Sequence, residues 1–325
     1  MSRIGNNYKN SINSFLGSLI ILTGIIVAST LTGCGGSSAG SDITSVDVSN
    51  ASTTGRPIAI QVLEPVAGNV TVGNDVTTID YSNASEGYII VDYTGDSKKI
   101  KFQLTGPDQV TYTYDIYPNE DIVMPLSADS GDYVVTLYED IGNNQYSSNF
   151  SDVIPISIDN KFGPFLYPNQ YVNFNKDTEA VKLALQLSEN TTCELEVVAK
   201  VYEYVTKNVV YDKEEAETVE SGYLPDVDEV IATGKGICFD YAALMAAMLR
   251  SQGIPTRLEI GYAKDAYHSW ISIYTKDQGW IGGVIKFDGT NWTLMDPTLA
   301  ANSKDSSAIK SFIGDGSSYM TKYLY

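Results

Sequence analysis

The chain has 325 residues, with 21 basic side chains against 40 acidic ones and a net charge of −19. That balance excludes recognition of nucleic acid or of an anionic membrane through charge. One histidine and three cysteines exclude a disulfide framework and a histidine- or cysteine-rich metal centre, and no phosphate-cradling glycine loop or cofactor fingerprint occurs. No cofactor or metal is therefore expected.

Residues 1–33 carry a positive start (Arg3, Lys9) and a short apolar stretch from Phe15 to Val27, and then read Leu31-Thr32-Gly33-Cys34. This is the layout of a secretory signal. The last four residues resemble the lipobox of bacterial lipoproteins, which implies a lipid on Cys34, a membrane anchor and an extracytoplasmic location. Without Arg3 and Lys9, 19 of the 21 basic side chains remain against 40 acidic ones. Residues 34–55 are rich in Gly, Ser, Thr and Asp and read as a flexible tether.

From 56 to 160 the chain reads as short strands broken by Gly-Pro, Gly-Asp and Gly-Asn-Asn turns. The expected strands include Ala59–Leu63, Tyr88–Tyr93, Lys99–Leu104, Val110–Tyr114, Tyr133–Tyr138 and Val153–Ile158. Asp129-Ser-Gly131-Asp-Tyr133 resembles the tyrosine corner of immunoglobulin-like sandwiches, in which the hydroxyl bonds back to nearby backbone. Val135 stands where such domains usually carry a second cysteine. An all-β, Ig-like or fibronectin-like sandwich without a disulfide is expected, acting more as a spacer than as a ligand site.

The texture changes near Lys161, and residues 161–301 are expected to form an α+β domain. Helical periods run over Asp177–Ser188 and over Thr192–Lys207, the second with Thr191 or Thr192 as N-cap. A polar loop is expected around Lys213–Glu217. A third helix runs from near Gly236 to Ser251, with Gly253 ending it. Strands follow at Thr256–Tyr262, Tyr267–Tyr274, Gly279–Ile281, Val284–Phe287 and Trp292–Met295. Residues 302–325 read as a tail of partial order.

Cys238 falls in the first turn of the third helix, where free N–H groups and the helix dipole favour a thiolate and can cradle an oxyanion. His268, the single imidazole, lies 30 positions later on a strand, and Asp296 lies 28 positions beyond it. A thiol, an imidazole and a carboxylate are the parts of a nucleophilic triad. The four blocks Gly236-Ile-Cys238-Phe-Asp-Tyr-Ala-Ala, Leu249-Arg-Ser-Gln-Gly-Ile-Pro-Thr-Arg257, Tyr267-His268-Ser-Trp270 and Trp292-Thr-Leu-Met-Asp296-Pro-Thr298 resemble the transglutaminase-like superfamily. The resemblance covers roughly residues 175–300. It implies a papain-like α+β core, with Cys238 as nucleophile, His268 as base and then acid, and Asp296 as the orienting group. It further implies a second oxyanion donor, for which Tyr211 and Tyr223 are both candidates. Trp270 is a candidate wall of the acyl channel, with strand packing as the other reading.

The expected function is attack on amide carbonyls through a thioester. The substrate is expected to be a protein or peptide of the cell envelope, and the outcome that of a cysteine peptidase or amidase. Transfer of the acyl group to an amine, crosslinking proteins, uses the same residues. Non-catalytic surface binding or adhesion is the third reading.

Overall fold

The computed structural model describes residues 60–143, 145–276, 279–282, 285–287, 292–294, 298, 301 and 318–325. Cys34, the signal and the tether fall outside these residues, as does Asp296. Among the described residues no helix is long and apolar enough to cross a membrane.

The N-terminal part is β-rich. Its strands are β1 (Thr71–Gly73), β2 (Thr77–Asp80), β3 (Tyr88–Tyr93), β4 (Ile100–Thr105), β5 (Thr111–Ile116), β6 (Ile122–Pro125), β7 (Gly131–Gly142) and β8 (Gln145–Ile156). They form two four-stranded sheets, β1-β2-β3-β6 and β5-β4-β7-β8, with antiparallel pairing throughout. Alternation decides which way each strand faces. Ile100, Phe102 and Leu104 of β4, Tyr112, Tyr114 and Ile116 of β5, and Tyr133, Val135 and Leu137 of β7 are buried together with Ile79, Ile89 and Val91. Lys101, Gln103, Thr111 and Thr113 take the opposite face. The Tyr133 hydroxyl donates to the Ala128 and Asp129 carbonyls at 2.9 and 3.1 Å. The strand expected from Ala59 does not form over its described residues. Ile60 to Leu63 run as irregular chain, and the Gln61 N–H donates to Ser251 O beside the C-terminal helix.

The C-terminal part opens with helices α1 (Glu179–Ser188), α2 (Glu194–Asn208), α3 (Lys213–Thr218), α4 (Val227–Thr233) and α5 (Cys238–Arg250). A parallel two-residue pair, β9 (Val210–Tyr211) with β10 (Lys235–Gly236), precedes α5. The main sheet then follows, in the order β13 (Gly279–Gly282), β12 (Ala266–Thr275), β11 (Thr256–Ala263), β16 (Tyr319–Leu324). A separate hairpin joins β14 (Ile285–Phe287) to β15 (Trp292–Leu294). Helix α5 is apolar all round, and Tyr241 through Leu249 are buried. Such a helix belongs at the centre of a core, and α5 packs on α1, α2, α4, β11 and β12.

Three further expectations need correction. Neither Thr191 nor Thr192 caps α2. Cys193 holds that position, Thr191 turns its hydroxyl back to Ser188 O, and Thr192 bonds the Glu196 carboxylate. The polar loop at Lys213 is the short helix α3, because the Asp212 carboxylate accepts the Glu215 N–H as an N-cap. Residues 318–325 are not a tail: β16 pairs with β11, and Tyr325 is 4% exposed. Arg250, itself fully buried, fixes this strand. Its guanidinium donates to Thr256 O, Tyr167 O and Tyr325 O at 2.9, 3.0 and 2.6 Å.

Candidate active site

Cys238 is the first residue of α5, half-buried, and both it and Cys193 are free thiols. The local sequence builds the turn that presents it. Gly234 ends α4 in the left-handed region at φ 65°, where glycine carries no steric penalty. Gly236 then passes so close to the helix that a Cβ on it would lie 2.7 Å from Asp240 Cβ. Ile237 has no side-chain acceptor for the first turn, so the reverse half of the cap does the work: the Asp240 carboxylate accepts the Ile237 N–H at 2.7 Å. Among the described residues no side chain caps the first N–H groups of α5, at the positive end of the helix.

Tyr211 is held next to this turn by backbone pairing. It stands in register with Gly236, and the Asp212 N–H donates to Gly236 O at 2.9 Å. The Tyr241 hydroxyl of α5 also reaches back to Val209 O at 2.6 Å. Tyr223 is committed differently. Its hydroxyl donates to Asp240 Oδ1 at 2.7 Å, so its single proton is already given to a carboxylate. Burial, together with Asp240 and Glu215, holds the Tyr223 phenol far above its ordinary range. Burial likewise pushes the Asp240 carboxyl up to about 6, although the bonds from Tyr223 and Ile237 favour its charged form.

His268 lies near the start of β12 and is 1% exposed. Its ring stacks on Trp270 at a centroid distance of 6.2 Å and lies 6.4 Å from Tyr319, while Trp270 and Tyr319 meet edge-on at 5.0 Å. Across the sheet His268 faces Gly261, where a Cβ would come within 2.1 Å of Met320 O. The register between β11 and β16 shifts at this point. Only glycine fits beneath that irregularity, and such bulges re-aim neighbouring side chains.

Cys238 and His268 line one cavity of about 480 Å³, and Tyr211 and Tyr223 line it too. Tyr267, His268 and Ser269 in succession contribute to its wall. Trp270 does not belong to that wall. It is buried, with its ring against His268 and Tyr319. The expected orienting carboxylate, Asp296, lies outside the described residues, as does Cys34; Thr298, two positions beyond Asp296, is buried. Among the described residues no three metal-ligating side chains converge.

Sequence reasoning missed two features. Asp240 was readable from its spacing, three residues after the N-cap, as the acidic partner in a capping box. The other wall of the cavity had no local signal: Lys101, Gln103, Thr111, Thr113 and Asp115 reach it from β4 and β5. The N-terminal sheet is therefore part of the cavity and not only a spacer.

Comparison with known proteins agrees with this reading of the C-terminal part. A family model described as the transglutaminase-like superfamily matches residues 181–282. An uncharacterized protein of Bacillus subtilis (strain 168), YebA, is 27% identical over 118 residues, which is 30% of this chain and 16% of that protein. The chain thus spans about a sixth of that relative's length. Among solved structures, a proposed cysteine protease from Cytophaga hutchinsonii overlays with TM-score 0.34 at 16% identity, covering 71% of this chain and 70% of that one. The periplasmic domain of TgpA from Pseudomonas aeruginosa overlays with TM-score 0.33 at 14% identity, covering 75% of this chain and 98% of that one. Overlays this loose carry no weight beyond the family match. Residues 181–282 are therefore a transglutaminase-like domain.

Proposed function

We propose that this protein is a cysteine peptidase or amidase acting on proteins or peptides of the cell envelope, held at the membrane by a lipid on Cys34. The observation that carries the reading is the shared cavity, with Cys238 at the open first turn of α5 and His268 on its wall. In the proposed reaction the Cys238 thiolate attacks an amide carbonyl. The oxyanion is held by the N–H groups of the first turn, with Tyr211 and Tyr223, both on the cavity wall, as the candidates for a further donor. His268 gives a proton to the departing amine and a thioester remains. Water then attacks the thioester, His268 takes up its proton, and acid and free thiol are released. Asp296 is proposed to fix the imidazole tautomer. The two antiparallel sheets and the Tyr133 hydroxyl bond support an Ig-like sandwich as the N-terminal module.

Incubating the protein with casein and a dansylated amine, followed by mass spectrometry, tests the outcome. New casein termini or deamidated glutamines, absent with Cys238→Ala, are the expected result. Dye incorporation would assign crosslinking instead, and an unchanged casein would remove the enzymatic reading.

A further inference from the structure

β5 is an edge strand: in its sheet it pairs with β4 alone. Two bonds fix which of its backbone groups point outward. The Gly106 N–H donates to Val110 O, so residues of that parity bond toward β4. On the other parity, Gln170 Nε2 donates to Asp115 O at 2.6 Å from outside the sheet. By the two-residue period of a strand, the N–H and C=O groups of Thr111 and Thr113 share the outward direction of Asp115 O. Both threonines are exposed, and among the described residues these outward groups have no backbone partner. An open edge of this kind is a template for another strand.

This edge lies on the cavity that holds Cys238. Thr111, Thr113 and Asp115 line it, and so do Lys101 and Gln103 of β4. Their side chains are tied into a polar ladder: Lys101 to Asp115, Gln103 to Thr113 at 3.3 Å, and Thr105 to Thr111 at 2.8 Å. Those side chains are tied to one another across the ladder, whereas the outward main-chain groups of Thr111 and Thr113 have no such backbone partner among the described residues. The loop before α4 closes on the same end, since a Cβ on Gly222 (φ 93°) would stand 3.1 Å from Asp115 Oδ2.

We propose that β5 is the substrate-binding strand of the site: an extended polypeptide segment adds to its free edge through main-chain hydrogen bonds to Thr111 and Thr113, and this carries the reacting carbonyl to Cys238. The proposal rests on the catalytic reading above and names its substrate class, a peptide extended over at least three residues. Outward groups on a strand recur about every 6.6 Å, so a segment of that length can engage both threonines. Recognition is through backbone, with side-chain identity secondary at these positions.

The test compares alkylation of Cys238 by iodoacetamide, which needs no strand pairing, with alkylation by acetyl-Ala-Ala-Ala chloromethyl ketone. Both rates are read by mass spectrometry of the peptide that contains Cys238. Thr113→Pro removes one outward N–H, and edge strands accept proline where the N–H faces away from the sheet. Thr113→Val keeps the N–H and removes the hydroxyl. The expected result is a roughly tenfold fall in the ratio of peptidyl to iodoacetamide rate for Thr113→Pro, the size of one lost hydrogen bond, with Thr113→Val near wild type. An unchanged ratio in Thr113→Pro, or an equal fall in both variants, overturns the strand-pairing proposal. If wild-type Cys238 fails to react with iodoacetamide at all, it is the catalytic reading that falls.

Discussion

At the scale of single residues, the turn that presents Cys238 depends on Asp240. Its carboxylate caps the Ile237 N–H, accepts a hydrogen bond from the Tyr223 hydroxyl and faces Glu215 and Glu229, the other carboxylates that act on it. Burial raises its pKa from 3.8 to about 6, so the folded state holds its proton to higher pH than the unfolded chain does. The sign follows by linkage: this group's contribution is fully present below about pH 4 and is lost as pH rises through 6. Asp240→Asn keeps an acceptor and abolishes the titration. The stability of wild type minus that of Asp240→Asn, from urea unfolding, should therefore fall by on the order of 2 kcal/mol between pH 4 and pH 7. A flat or rising difference would show that Asp240 is not held in this way. Cys238 and His268 were legible in the sequence because each stands in a distinctive string, and the open helix start explains why the thiol sits where it does. The bond from the Tyr223 hydroxyl to Asp240 was not legible, because it joins segments that only the tertiary fold brings together.

At the scale of elements, β16 shows where reading by composition fails. The Ser- and Asp-rich stretch before it lowered the expectation of order for the whole end of the chain. Yet Tyr319, Tyr323 and Tyr325 all pack on the core, Tyr319 by its edge on Trp270. The signal was an aromatic-rich run at the end of a polar stretch, too short to outweigh its surroundings. Arg250 stands in a motif that assigns it no role, because nothing local says that its partners are three carbonyls from distant segments. Burial pushes the guanidinium down to about 9, so it stays charged at neutral pH. Arg250→Met fills similar space but leaves those carbonyls without their donors. It should cost about 3 kcal/mol or more in urea unfolding, and hydrogen exchange should show β16 opening first. A loss under about 1 kcal/mol would mean that the strand is held by its pairing with β11 alone.

At the scale of the whole molecule, the two halves make one working surface. Tyr112 and Tyr114 of the N-terminal sheet meet Tyr325 at 5.4 and 6.0 Å, and the Ser127 hydroxyl donates to Leu324 O at 2.7 Å. The cavity of Cys238 inherits a wall from β4 and β5 because of these contacts. No pattern within residues 56–160 could announce that, since the alternation of β5 fixes its buried face and not what its outer edge approaches. The strands around Tyr133 and the helix of Cys238 were legible from periodicity and turn chemistry, whereas their juxtaposition depends on contacts between segments far apart in sequence. The central claim is that His268 acts on Cys238 within this cavity. The measurement that tests it most directly is the pH dependence of Cys238 alkylation by iodoacetamide in wild type and in His268→Ala. The account predicts rapid alkylation near neutral pH in the wild type and a rate at least tenfold lower at pH 7 in the variant. Identical profiles would contradict it.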